Sequence, residues 1–147
     1  NLRKFFYLAS GSYEGARSVA PLSEKKDLLS DIEDPLSLGA WCSEDDLDFY
    51  TKEFERSGFR GPLNYYRNHN LTWELTAGAP QEIQQPAMFA AGDRDGVIAL
   101  ARDALEKMPR FVKDLRVNKL IPGIGHWTQQ EAPDEVNRIL LNFLASL

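Results

Sequence analysis

The sequence predicts an α/β fold: a parallel-sheet βαβα unit over residues 79–147, preceded by a helical region over residues 1–78. Three observations predict it. Two short apolar runs, Pro86 to Ala91 and Val117 to Ile121, close on Gly92-Asp93 and Pro122-Gly123, as buried strands close on turns. A helically spaced apolar set lies between them and another follows the second. Ahead of residue 79 the apolar residues recur with helical spacing or with no period. Strand–helix–strand–helix order implies parallel strands with helices packed on the sheet. Parallel sheets are normally covered on both faces, so these strands need others beside them. The chain is therefore expected to be part of a larger fold.

Taken in order, Leu2, Phe5, Phe6 and Ala9 share one helical face, and Gly11 can stop that helix. Residues 11–42 mix turn residues, charges, Pro21 and Pro35, and read as a long excursion with short helical pieces. Ser43-Glu44-Asp45-Asp46 has the form of a capping box. Leu47, Tyr50 and Phe54 then line one face of a helix that Gly58 ends. Gly61-Pro62 starts a third helix, over Leu63 to His69 and on toward Trp73, with proline in the first turn where its missing N–H costs nothing. Gly78, Ala79 and Pro80 mark the boundary between the two regions.

Beyond it, Val97, Ala101, Ala104, Leu105 and Met108 follow the first strand with helical spacing, and Pro109 is expected to end that helix. The last helix runs from Pro133 to Leu147, with Val136, Ile139, Leu140, Phe143, Leu144 and Leu147 on one side. Asp134 and Glu135 suit the positive end of its dipole.

Bulk properties exclude several functions. Lys and Arg number 17 against 22 Asp and Glu, which argues against a nucleic-acid partner. No apolar stretch approaches the length of a membrane span. Cys42 is the single cysteine, so no internal disulfide can form, which favours a cytoplasmic location. Asn1 is not a start residue and no signal-peptide pattern follows it, so an upstream segment is expected to have been removed.

Ligands and catalysts in open α/β sheets gather at the carboxyl ends of the strands. Two polar clusters fall there, Gly92-Asp93-Arg94-Asp95-Gly96 and Gly123-Ile124-Gly125-His126-Trp127. An acid after one strand and a histidine after a later one is the chain order of the α/β-hydrolase triad. The carboxylate would orient the imidazole and stabilise its charged form. Other roles compete at each position. Asp95 could be the N-cap of the next helix, and Asp93 could be the acid or a turn residue. His126 could be structural, although the glycines around it let the backbone approach a site closely. His69 reads as solvent-facing, Asp31, Glu33 and Asp34 as a solvated face, and Trp41, Trp73 and Trp127 as packing residues.

Three segments resemble the epoxide hydrolases of the α/β-hydrolase superfamily. "GHWTQQE" (125–131) with "PDEVNRILLNFL" resembles their C-terminal end, "GFRGPLNYYRN" (58–68) their cap domain, and "AMFAAGDRDGV" (87–97) the strand and loop carrying their acid. The resemblance implies that residues 1–78 are the C-terminal part of a helical cap and 79–147 the C-terminal part of an α/β-hydrolase core. It implies that an aspartate opens an epoxide to form an enzyme ester, that cap tyrosines assist the leaving oxygen, and that a histidine–acid pair activates water against the ester. No cofactor or metal is implied. His126 matches the base, Asp95 its acid and Tyr66 one cap tyrosine. Tyr65, its neighbour, points about 100° away on a helix. Tyr65 and Trp127 are expected to contact the substrate.

The family's nucleophile lies upstream of the cap, and nothing here matches it; Gly11-Ser12-Tyr13-Glu14-Gly15 has its serine misplaced for a G-x-S-x-G elbow. The resemblance thus implies a missing N-terminal half as partner, a small-molecule epoxide as substrate, and an inactive chain when alone. A haloalkane-type dehalogenase of the same superfamily and a non-catalytic fragment are the alternatives. The tyrosine-bearing motif favours the epoxide enzyme, because halide leaving groups need no tyrosine acid.

Overall fold

The computed structural model describes residues 1–14 and 27–147. Part of the predicted 11–42 excursion, with Gly15 and Pro21, lies outside the described residues. The helical region holds α1 (Leu2–Ala9), α2 (Glu44–Ser57), α3 (Arg60–Arg67) and α4 (His69–Thr76). The second region runs β1 (Ile83–Gly92), α5 (Gly96–Leu100), α6 (Arg102–Phe111), β2 (Val112–Ile121), α7 (Thr128–Glu131) and α8 (Pro133–Leu144). The two strands pair in parallel, from Ile83 opposite Val112 to Gly92 opposite Ile121. Their carboxyl ends therefore finish side by side, and the two polar loops leave from the same edge.

Several boundaries differ from the sequence reading, each for a local reason. Both strands reach further back than their apolar runs, because pairing begins at Ile83 opposite Val112, with Gln84, Gln85 and Lys113 in an irregular stretch before Pro86 meets Asp114. Pro86 is tolerated within β1 where the register shifts between Ile83 and Pro86. The helix between the strands is two helices, broken at Ala101 (φ −94°, ψ 12°). Pro109 does not end α6 but sits in its final turn. There it forfeits only the bond its N–H would make to the residue four back. The third predicted helix is also two, broken at Asn68 (φ −93°, ψ 5°), and α4 continues past Trp73 to Thr76.

The predicted caps are present. The Ser43 hydroxyl accepts the Asp46 amide at 3.2 Å, and the Asp46 carboxylate accepts the Ser43 amide at 2.9 Å. Pro133 opens α8, with Asp134 and Glu135 in its first turn.

The core that matters for the site joins the two regions. Phe6 of α1 and Leu47 of α2 bury against Leu38 and Cys42, with Leu2, Tyr7, Trp41 and Trp127 packed around them. Burying each large apolar side chain contributes about 1.5–3 kcal/mol. Because Trp127 follows His126, this cluster ties α1 to the histidine loop. Trp41 and Trp127 are thus packing residues as expected, whereas Trp73 is 75% exposed. Among the described residues no helix is long and apolar enough to cross a membrane.

Candidate active site

The two loops at the strand ends lock together through backbone bonds. The Asp93 amide donates to Ile121 O at 3.1 Å and the Arg94 amide to Ile124 O at 2.9 Å. The Asp93 carboxylate accepts the Gly123 amide at 2.8 Å. Asp93 is therefore a turn residue that joins the loops, and the acid beside the histidine is Asp95. Two glycines make the approach possible. A Cβ on Gly92 would run into the Ile124 and Gly125 carbonyls, and one on Gly125 into the backbone of Ala9 to Gly11. Both positions need the absence of a side chain rather than an unusual φ.

Asp95 fills both roles that its position allowed. Its Oδ1 accepts the Val97 amide at 2.8 Å, which caps α5, and its Oδ2 lies 2.9 Å from His126 Nδ1. The Asp95 side chain is 11% exposed and the His126 side chain 48%. An ionised carboxylate only accepts, so in that pairing Nδ1 carries the proton and Nε2 holds the lone pair. The arrangement is a carboxylate fixed by a backbone amide, an imidazole oriented by that carboxylate, and a basic nitrogen on a side chain half open to solvent. It can take a proton from a water or hydroxyl placed against Nε2.

The histidine loop has a second anchor that the sequence reading missed. Glu131, at the end of α7, accepts the Gly11 amide (2.8 Å) and the Gly125 amide (3.1 Å) on Oε2, and the Trp127 amide (3.1 Å) on Oε1. The His126 amide donates to Ala9 O at 2.8 Å, and Arg94 donates to Gly11 O at 2.7 Å. The only hint in the sequence is an acid five places after the histidine; its contact with Gly11 spans 120 residues.

The remaining predicted residues are placed less uniformly. Trp127 packs edge-on against His126, with ring centroids 5.3 Å apart, and its indole N–H donates to Phe6 O at 2.8 Å. Its ring also borders a cavity of about 190 Å³ shared with Phe6, Trp41 and Tyr50. Tyr66 and Tyr65 lie on α3, 71% and 82% exposed. Tyr66 contacts the His69 ring at 5.8 Å, and among the described residues no hydrogen bond or ring contact joins either tyrosine to His126 or Asp95. Beside the cavity, burial pushes the Cys42 thiol pKa up, helped by the Asp46 and Glu44 carboxylates. Among the described residues no cluster of His, Cys, Asp or Glu could hold a metal ion.

Parallel strands ending in an acid loop and then a histidine loop, with a helix closing the chain, define the C-terminal part of an α/β-hydrolase core. The sequence relatives narrow the class. The chain is 43% identical over 114 residues to epoxide hydrolase B of Mycobacterium tuberculosis, a match covering 77% of this chain and 32% of that protein. It is 36% identical over 118 residues to the mouse bifunctional epoxide hydrolase 2, covering 80% and 21%. In three dimensions it matches an epoxide hydrolase from an endophytic Streptomyces, with TM-score 0.84 and 38% identity, over 98% of this chain and 44% of that one. No protein-family model matches the chain. The chain is similar to the C-terminal part of these epoxide hydrolases. It spans about a third of the length of two mycobacterial relatives, epoxide hydrolases B and A, at 32% and 36%.

Proposed function

We propose that this chain supplies the water-activating half of an epoxide hydrolase active site, completed by a nucleophilic aspartate from an N-terminal part of the enzyme. The observation that carries the reading is the 2.9 Å contact between His126 Nδ1 and Asp95 Oδ2 at the ends of two parallel strands. In the reaction an aspartate carboxylate attacks an epoxide carbon, and the ring C–O bond breaks. The departing oxygen takes a proton from a cap tyrosine, for which Tyr66 is the candidate, leaving a hydroxy ester. His126 then removes a proton from water as it attacks the ester carbonyl. The vicinal diol leaves, the nucleophile is restored, and the proton that His126 took passes through solvent back to the tyrosine. Asp95 orients the imidazole and balances its charge during that step.

On this reading residues 1–78 belong to the cap and 79–147 to the core. Tyr65 and Trp127 line the substrate path. No cofactor enters the chemistry. The buried free thiol of Cys42 suits a reducing, cytoplasmic setting. On this reading the chain alone is inactive, because Asp95, the carboxylate paired with His126, serves as its orienting acid and the nucleophile comes from the N-terminal part.

The test is His126→Ala in the intact protein, given an epoxide and followed by mass spectrometry. The expected result is an adduct of one whole epoxide mass that persists, with diol formation lost by about 10³-fold or more. Turnover of haloalkanes but not epoxides, or diol formation unaffected by His126→Ala, would overturn the assignment.

A further inference from the structure

The amides on either side of His126 end on one carboxylate. Gly125 N–H and Trp127 N–H donate to different oxygens of Glu131, each at 3.1 Å. The Gly11 amide, from the segment after α1, shares Oε2 at 2.8 Å. The His126 amide donates to Ala9 O, two residues before Gly11, at 2.8 Å. Every amide from 125 to 127 is thus fixed, and both outside anchors belong to one short stretch of backbone.

The structure assigns Glu131 as a positioning residue for His126. It pins the 125–127 turn to residues 9–11, and so sets the direction in which the imidazole meets Asp95 and presents Nε2. This rests on the reading of His126 as the water-activating base. Charge-assisted bonds from three amides are stronger and more directional than neutral ones. The side chain's two oxygens are what the arrangement needs. Glutamine at 131 keeps the size but offers one acceptor oxygen, and its NH₂ group would face an amide donor. With one flanking amide unheld, the turn relaxes, and a displacement of about 1 Å at the base costs about a hundredfold in rate.

Glu131 does not touch the water or the ester, so its loss should fall on the step His126 performs. The test compares Glu131→Gln and Glu131→Asp with Asp95→Asn, His126→Ala and, as a surface control, Glu135→Gln, all in the intact protein. Three readouts are taken: cooperative thermal unfolding, the hydrogen-bonded Nδ1 proton of His126 by NMR, and single-turnover rates of ester formation and ester hydrolysis.

The expected result is a folded Glu131→Gln protein with the Nδ1 proton signal lost or shifted toward that of Asp95→Asn. Ester hydrolysis should slow tenfold to about a hundredfold, with ester formation within about twofold of the parent. A part that was only structural would slow both steps together or lower the unfolding temperature alone, and either result overturns the assignment. So does a folded Glu131→Gln protein with an unchanged Nδ1 signal and hydrolysis rate. If Glu131→Gln does not fold, Glu131→Asp is read the same way. If neither folds, Glu131 is a folding residue and the assignment falls. The proposed reaction fails separately: in that case His126→Ala itself traps no ester, while the NMR comparison still decides whether Glu131 positions the imidazole.

Discussion

At Asp95, removing the charge and removing the side chain are different experiments. One oxygen caps α5 and the other faces His126. Asparagine is as good an N-cap as aspartate but cannot balance an imidazolium. Asp95→Asn is therefore expected to lower turnover by about 10³–10⁴-fold while changing stability little. Asp95→Ala should lose the same activity and a further ~1 kcal/mol of stability, read by urea unfolding. Equal stabilities for the two variants would show that the cap bond contributes nothing. Asp95 was legible as either a cap or an acid because its neighbours in the chain support both, and the fold uses both. Glu131 was not legible, because its meaning depends on Gly11, which the chain brings back from 120 residues away. Tyr66 stood out through its motif alone. On α3 its side chain is 71% exposed, and nothing in its local sequence says what it faces.

Elements with a covalent or capping signal at their ends were readable, and those bounded by pairing were not. The Ser43–Asp46 box and Pro133 fixed the starts of α2 and α8. The lengths of β1 and β2 came from each other, and neither run of side chains announces Gln84 or Lys113 as strand residues. Glu135, in the first turn of α8, carries a prediction at this scale. Hydrogen bonds first from Arg138 and then from Lys119 of β2 hold its carboxyl pKa at about 2, below the ordinary 4.5. A carboxyl depressed on folding contributes stability that is complete above its unfolded value and is lost as pH falls through its folded value. The contribution of this link between α8 and β2 should therefore fade as pH drops from 4.5 toward about 2. Acid unfolding compared between the parent and Glu135→Gln checks it. The variant should show a shallower pH dependence in that window, and the difference should shrink in high salt because the groups are solvent-accessible. Superimposed acid limbs would mean the ion pairs do not outlast solvation.

For the molecule as a whole, the decisive quantity is apolar surface. A parallel sheet is normally covered on both faces, and the sheet here has two strands among the described residues. Leu141 and Leu144 of α8 are 64% and 51% exposed, and Trp73 and Leu75 of α4 are 75% and 77% exposed. Of the apolar stripe predicted for the last helix, Val136 to Leu144 fall within α8, which ends before Leu147, and only Ile139 is buried. Large apolar side chains left exposed on two helices are candidates for an interaction face. On the proposed reading that face belongs against the N-terminal part of the enzyme. The isolated 147-residue chain is then expected to bind an apolar-surface dye and to self-associate. Adding a polypeptide carrying the N-terminal part should suppress dye binding and generate epoxide turnover that neither piece shows alone. Trp73 offers an internal reporter: an indole that passes from water to an apolar contact shifts its emission to shorter wavelength. Substituting Trp41 and Trp127, which the core already packs, would isolate its signal. A monomeric chain that binds no dye would place the apolar residues in contacts of its own. It would also remove the need for a covering partner, leaving the His126–Asp95 pair to be explained without one.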